Sequence, residues 1–304
     1  MLELINISKK FKTDFWSKEF TALESVNFEI PEGKIVGFLG ANGAGKTTLI
    51  KIIMGFIKPN RGNVKFDHKL GKNRNEIFNN LGYFPERPYF YPSLTGKEFL
   101  EFVGQLNGMK KASIQFKVKE WSQRFNMEKY LDRIVRSYSK GMLQRLGLIS
   151  SVLHDPLLVI LDEPLSGLDP LGRKEIRQAI GQLKDEGKTV FFSSHIIPDL
   201  EEVCDRVVFM ESGKVKYSGE IDSLLSSNNQ NFKIRVYSDC NLEIKSNVVE
   251  KKRTEKIINF EVSASVKDAF LAEVLSQGAQ ILSVSLEIKS LEQVFYAKEN
   301  LINV

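Results

Sequence analysis

Gly40-Ala41-Asn42-Gly43-Ala44-Gly45-Lys46-Thr47 has the spacing G-x-x-x-x-G-K-[ST] of a phosphate-binding loop. Apolar Ile35 to Leu39 precede it as a buried strand, and Thr48 to Met54 follow as a helical run, the strand, loop and helix setting that such a loop needs. The residue types have physical reasons. Glycines let successive backbone N–H groups turn inward around a phosphate, and the helix directs its positive end to the same point. Lys46 then reaches the β- and γ-phosphates of a nucleotide, and the Thr47 hydroxyl ligates Mg²⁺.

Two further strand ends carry polar groups. Leu157-Leu158-Val159-Ile160-Leu161 is the continuous apolar run of a parallel strand covered on both faces, and it ends in Asp162-Glu163-Pro164. Thr189-Val190-Phe191-Phe192 ends in Ser193-Ser194-His195. In open parallel sheets ligands bind outside the carboxyl ends of the strands, so these groups belong in one crevice with the phosphate loop. Asp162 is suited to hold hydrated Mg²⁺ between the phosphates, and Glu163 to orient or deprotonate an attacking water. His195 is suited to donate a hydrogen bond where charge develops at the γ-phosphate. Taken singly, Glu163 also reads as a capping carboxylate and His195 as a satisfied surface histidine.

The remaining elements are legible from periodicity. Leu2 to Phe11 and Leu23 to Ile30 read as strands joined by a connection holding Phe15, Trp16 and Phe20. One aromatic here can stack on a nucleotide base; Phe11 is the candidate, core packing the alternative, and Phe15 and Trp16 read as an exposed loop. Asn63 to Phe66 and Leu81 to Phe84 are further strands, the second running into Pro85-Glu86-Arg87-Pro88. Thr95-Gly96-Lys97-Glu98 is a capping box between Leu94 and Phe99, and residues 90–136 read as a helical insert in an α/β domain. The polar loop Ser137 to Met142 precedes a helix from Gln144 to Leu153.

Around Ser226 to Asn231 the pattern stops and a linker is expected, which sets a first domain at residues 1–225 and a second at 226–304. Beyond it Phe232, Ile234 and Val236 alternate, as do Ile258, Phe260 and Val262, and Leu282, Val284, Leu286 and Ile288. Ser265 to Gln277 is helical with Gly278 as its stop, and Leu291, Val294 and Phe295 share a face of a final helix. No catalytic constellation stands out in this small α/β accessory domain.

Composition excludes some classes. The 304 residues, 42% hydrophobic and 27% charged, supply an ordinary core. No apolar run approaches the ~20 residues that span a bilayer. Met1 to Asn6 lacks a basic segment followed by an apolar stretch, so no secretory signal is expected, and Cys204 and Cys240 have neither C-x-x-C nor metal spacing. A reducing cytoplasm fits best. The net charge of +5 is dispersed in clusters such as Lys251-Lys252-Arg253, which read as a solvated face more than a membrane or nucleic-acid surface.

Residues from about Leu2 to Leu225 resemble the nucleotide-binding subunit of an ATP-binding cassette (ABC) transporter, with motifs in that family's order. Phe11 matches the adenine-stacking aromatic, Gly40 to Thr48 the Walker A loop, and Ser139 to Gln144 the signature loop. Leu157 to Glu163 matches the Walker B strand, Ser166-Gly167-Leu168-Asp169 the loop at the dimer seam, and His195 the switch histidine. The resemblance implies a fold class of α/β, a P-loop NTPase cassette. It has a mostly parallel sheet core, an antiparallel β part and a helical insert, followed by the accessory domain. It implies ATP and Mg²⁺ as cofactors, with Ser139 and Gly141 facing the γ-phosphate held by a second copy or a paralogue. It also implies an integral membrane permease as partner and a place on the inner face of the cell membrane.

Two departures qualify the match. The usual L-S-G-G-Q reads Tyr138-Ser139-Lys140-Gly141-Met142, and the position of a Mg²⁺-contacting Gln holds Glu86, which reads either as a metal ligand or as a solvated loop residue. With the ending Ser290-Leu291-Glu292-Gln293-Val294-Phe295, this form resembles ABC-2 type cassettes, mostly exporters with a separate permease chain. The alternative is a soluble ABC protein acting on nucleic acid or ribosomes. Those proteins usually carry two cassettes or a long coiled coil, so no nucleic-acid partner is expected.

Overall fold

The computed structural model describes residues 1–12, 19–226, 231–239, 241–246, 248–254 and 256–287. Phe15, Trp16, Cys240, the polar stretch 227–230 and the expected final helix and tail at 288–295 lie outside the described residues. The chain divides into two compact units, Met1–Ile221 and Asp222–Val304.

The first unit opens with strands β1 (Leu2–Phe11) and β2 (Phe20–Ile30), then β3 (Ile35–Leu39) and helix α1 (Lys46–Ile53). Strand β4 (Arg61–Phe66), helix α2 (Arg74–Asn79) and strand β5 (Leu81–Phe84) follow. The helical insert consists of α3 (Gly96–Leu106) and α4 (Lys111–Arg124), and α5 (Lys140–Val152) returns the chain to β6 (Leu158–Leu161). Helix α6 (Pro170–Asp185), strand β7 (Thr189–Ser194), helix α7 (Ile197–Glu201) and strands β8 (Arg206–Glu211) and β9 (Lys214–Glu220) complete it.

Two sheets organise this unit. Strands β2-β1-β4 form an antiparallel sheet with β1 in the middle. Leu2, Leu4 and Ile7 of β1 all point inward although their spacing changes parity, because the ladder shifts register between Leu4 and Ile7, where Asn6 takes φ +53°. The second sheet has the order β5-β6-β7-β3-β8-β9, parallel except for the β8–β9 hairpin. Every residue of β3, β6 and β7 is buried, as their unbroken apolar runs require of strands covered on both faces. The rings of Phe38 and Phe191 stack at 5.2 Å within the core that joins the two sheets.

Thr95 and Glu98 form the expected capping box, with the Thr95 hydroxyl accepting from Glu98 N and the Glu98 carboxylate accepting from Thr95 N. Helix α5 starts four residues earlier than its periodicity suggests, at Lys140, because Ser139 caps it by accepting from Met142 N. Helices α2 and α7 have too few turns to leave a periodic signal in the sequence.

Helix α8 (Ile221–Ser226) lies at the junction, and the second unit contains β10 (Asn231–Tyr237), β11 (Val249–Arg253), β12 (Ile257–Ser263), α9 (Lys267–Ser276) and β13 (Gln280–Glu287). The order β11-β12-β10-β13 makes an antiparallel sheet. Phe270 and Val274 of α9 pack against Ile234, Val236, Ile258, Phe260 and Val262. The basic cluster near Lys252 belongs to edge strand β11. A register shift in β13 sets Ile281 opposite Val236, so Ile281 joins the core while Leu282 and Val284 stay exposed.

Candidate active site

The phosphate loop leaves β3 under tight steric control. A Cβ at Gly40 would lie 2.6 Å from the Met210 carbonyl oxygen, and Gly45 takes φ +107° where a Cβ would lie 2.8 Å from the Ala22 carbonyl oxygen. Only glycine meets both demands. Helix α1 begins directly after Gly45 with no side-chain cap on its first N–H groups. Lys46, 6% exposed, donates to the Gly40 carbonyl at 2.6 Å and lies 3.2 Å from Glu163 Oε1.

The carboxylates stand at the end of β6, held by the end of β7. Ser193 Oγ donates to Asp162 Oδ1 at 2.7 Å and accepts from Glu163 N at 2.8 Å, so one hydroxyl orients both residues. The Thr47 hydroxyl lies close to the Asp162 carboxylate. Burial raises the Asp162 pKa, the Ser193 bond and the nearby Thr47 hydroxyl oppose that shift, and the charges of Glu86 and Glu163 reinforce it. Glu163 adopts φ +52°, and its Oε2 lies 2.9 Å from His195 Nδ1. Its Oε1 makes the Lys46 ion pair but accepts no hydrogen bond.

These groups surround a cleft of about 440 Å³. Ala41, Asn42, Gly43, Gly45, Lys46, Thr47 and Thr48 line it from the phosphate loop, and Gly40 and Ala44 are the loop residues that do not. Glu86, Glu163 and His195 line it from the ends of β5, β6 and β7. Strand order explains the meeting, since β5, β6, β7 and β3 are consecutive neighbours and each sends its carboxyl end to the same edge. Asp162 is 1% exposed, and its Oδ2 has no hydrogen-bond partner. An orphaned carboxylate oxygen beside a threonine hydroxyl suits a hard, oxygen-seeking cation, so the residues present fit Mg²⁺.

The structure does not bring Phe11 into this cleft. Its ring lines a separate hollow with Lys10 and Arg61, and Lys9 Nζ sits 5.0 Å from its centroid. Among the described residues the aromatic lining the cleft is Phe20, its partner across the β1–β2 ladder, 62% exposed. The reason is sheet order: β1 is the central strand, whereas β2 borders the phosphate loop through Ala22. Ser139 and Gly141 also stay outside the cleft, at the first turn of α5, with Leu168 3.5 Å from a Cβ placed on Gly141.

Sequence reasoning named Ser193, Gln144 and Phe20 only as parts of their motifs and gave none of them a role of its own in this site. A hydroxyl one residue from a strand end was the available signal for Ser193. Gln144, 6% exposed on α5, donates from Nε2 to the Pro164 carbonyl at 2.6 Å and to that of Glu163 at 3.5 Å. Nothing in the local pattern foretells that pairing.

Known proteins share this arrangement. Residues 23–166 match the family described as ABC transporter. An uncharacterized ABC transporter ATP-binding protein from Nostoc sp. is 36% identical over 305 residues, covering 95% of this chain and 87% of its own length. The bacitracin transport ATP-binding protein BcrA of Bacillus licheniformis is 37% identical over 227 residues, 73% of each chain. A solved ATP binding subunit of an ABC transporter superposes with a TM-score of 0.65 at 30% identity, covering 74% of this chain and 92% of that one. With near full-length similarity added to the geometry of the cleft, the chain belongs to the ATP-binding proteins of ABC transporters, a family of ATPases.

Proposed function

We propose that this chain hydrolyses Mg·ATP to drive an exporter through a separate membrane permease, and that it works as an ATP-bridged pair of cassettes. The observation that carries this reading is the grouping of Lys46, Glu163 and His195 around one cleft beside the phosphate loop, with Asp162 tied to the same strand ends through Ser193. The triphosphate lies on the loop's N–H groups at the start of α1, and its γ-phosphate draws Lys46 away from Glu163. Thr47 and Asp162, with Glu86 close by, would hold Mg²⁺, which would supply positive charge against the developing negative charge of the phosphates. Glu163 orients the attacking water and accepts its proton. His195, held through Nδ1 by Glu163, donates from its other ring nitrogen to the developing charge when the imidazole carries both protons, since Nδ1–H is already given to the carboxylate.

Dimerisation is favoured by where Ser139 and Gly141 stand. They occupy a helix N-terminus outside their own cleft, a placement suited to the γ-phosphate of a second copy. Coupling to transport is supported by the bacitracin transport relative, and the export direction rests on the Tyr138 to Met142 form of the signature loop. No described helix is long and apolar enough to cross a membrane. In this reading the membrane component is a separate partner that holds the chain at the inner face. Its docking surface is the helical insert with the Glu86 loop. There Tyr89, Tyr91 and Phe102 form a chain of exposed rings with centroids 5.8 and 5.5 Å apart.

The test is a pull-down of the tagged chain from detergent-solubilised native membranes, wild type beside Glu163→Gln. Recovery of a polytopic membrane protein, enriched with Glu163→Gln in ATP, supports the proposal and identifies the permease. Recovery of ribosomes or nucleic acid without an integral membrane partner overturns it.

A further inference from the structure

We propose that Gln144 is the positioning residue that sets Glu163 for catalysis, by holding the main chain directly after it. The inference rests on the ATPase reading above and adds a residue to it. Glu163 takes φ +52°, a left-handed conformation that residues other than glycine resist unless their neighbours impose it. Hydrogen bonds on both sides impose it. On the amide side, Glu163 N donates to Ser193 Oγ. On the carbonyl side, Ser166 N donates to Glu163 O at 3.1 Å, and the Gln144 amide donates to Pro164 O at 2.6 Å and reaches Glu163 O at 3.5 Å. With the peptides before and after it held, the Cα–Cβ direction of Glu163 is set, and the carboxylate is aimed into the cleft between Lys46 and His195.

The helix that carries Gln144 has little freedom to drift. A Cβ on Gly147 of α5 would lie 2.3 Å from the Phe84 ring, and one on Gly82 of β5 would lie 2.2 Å from the Ser151 carbonyl oxygen. The backbones of α5 and β5 are therefore pressed together as only glycine allows. At the first turn of α5, the Lys140 side chain lies across Gly167, where an added Cβ would fall 1.8 Å from its Nζ. Helix α5 thus grips the segment 163–168 at two points, and the Gln144 bond is the one nearest the carboxylate. The same bond joins the helix that presents Ser139 to the main chain directly after Glu163 of this chain's own cleft.

Gln144→Glu and Gln144→Met separate positioning from mere packing. Both are close to glutamine in size, and both lose the donor when the new glutamate is ionised. The full chain is assayed for Mg·ATP hydrolysis (kcat and KM), for equilibrium binding of a non-hydrolysable ATP analogue, and for thermal melting. A misplaced reacting group costs on the order of a hundredfold in rate, so Gln144→Met is expected to lose about that much in kcat while analogue affinity stays within about threefold. Gln144→Glu is expected to show the same loss at pH about 8.5 and to recover towards wild type at pH about 6, where its buried carboxyl takes up a proton and donates again. Gln144→Met shows no such recovery.

The proposal is overturned if both variants keep wild-type kcat, if the loss falls on affinity instead of kcat, or if the Gln144→Glu profile parallels the wild type. Should Gln144→Glu fail to fold, the split between kcat and affinity in Gln144→Met decides. Absence of hydrolysis by the wild-type chain sinks the ATPase reading itself, whereas wild-type hydrolysis with undiminished variants sinks only the role of Gln144.

Discussion

Lys46 Nζ lies 3.2 Å from Glu163 Oε1, so the phosphate-loop lysine and the strand-end carboxylate form an ion pair at the floor of the cleft. Both side chains are about nine-tenths buried, and each is the other's main charge partner there. A γ-phosphate that recruits Lys46 also releases Glu163, which links substrate arrival to freeing of the base.

Removing one member of such a pair strands the other. Lys46→Met is expected to destabilise the chain by about 3–5 kcal/mol, and adding Glu163→Gln to recover part of that loss. Urea unfolding of both single variants and the double variant closes the cycle. Strict additivity would mean that the pair contributes nothing.

Phe20, not Phe11, lines the cleft. Base–aromatic stacking contributes about 1–3 kcal/mol, so Phe20→Ala is expected to weaken ATP binding by roughly 5- to 150-fold and Phe11→Ala by much less. Calorimetric titration of the two variants with ATP decides, and the reverse order would return the stacking role to Phe11.

Ser193 serves Asp162 and Glu163 with one hydroxyl. Ser193→Ala leaves a buried N–H and a carboxylate oxygen short of a partner, at a cost of about 1–3 kcal/mol. A lowered melting temperature with reduced kcat is expected. An unchanged kcat would show that Glu163 keeps its conformation without this bond.

His154 gives the stability a pH dependence near neutrality. Its Nε2 lies 3.0 Å from the Leu81 carbonyl oxygen, its Nδ1 is buried without a partner, and burial lowers its pKa below 6.5. The unfolded chain therefore takes up a proton more readily than the folded one. Stability is lost as pH falls below 6.5 and is restored as pH rises, with the loss complete below the folded-state pKa. Urea midpoints between pH about 7.5 and about 5 should fall more steeply for wild type than for His154→Gln, which cannot titrate there. Parallel curves would count against this assignment.

Much of the site was legible because its signals are local. The glycine spacing of residues 40–47, the apolar runs that become β3 and β6, and the carboxylates after Leu161 each depend on a few consecutive residues. Periodicity likewise announced α3 with its capping box. The choice between Phe11 and Phe20 is where that reasoning ends, since alignment along the chain cannot say that β1 is central and β2 borders the loop.

By itself the sequence determined most strands and the longer helices, and which residue types can bind phosphate, metal and water, because backbone preference and side-chain chemistry act over short spans. Tertiary structure alone decided the order β5-β6-β7-β3 that brings Glu86, Asp162, Glu163 and His195 to the phosphate loop. It also decided that Ser193 and Gln144, 30 residues after and 19 before Glu163, hold its main chain. Those choices come from packing both faces of a parallel sheet and from satisfying buried polar groups, which are properties of the whole fold and of no single stretch.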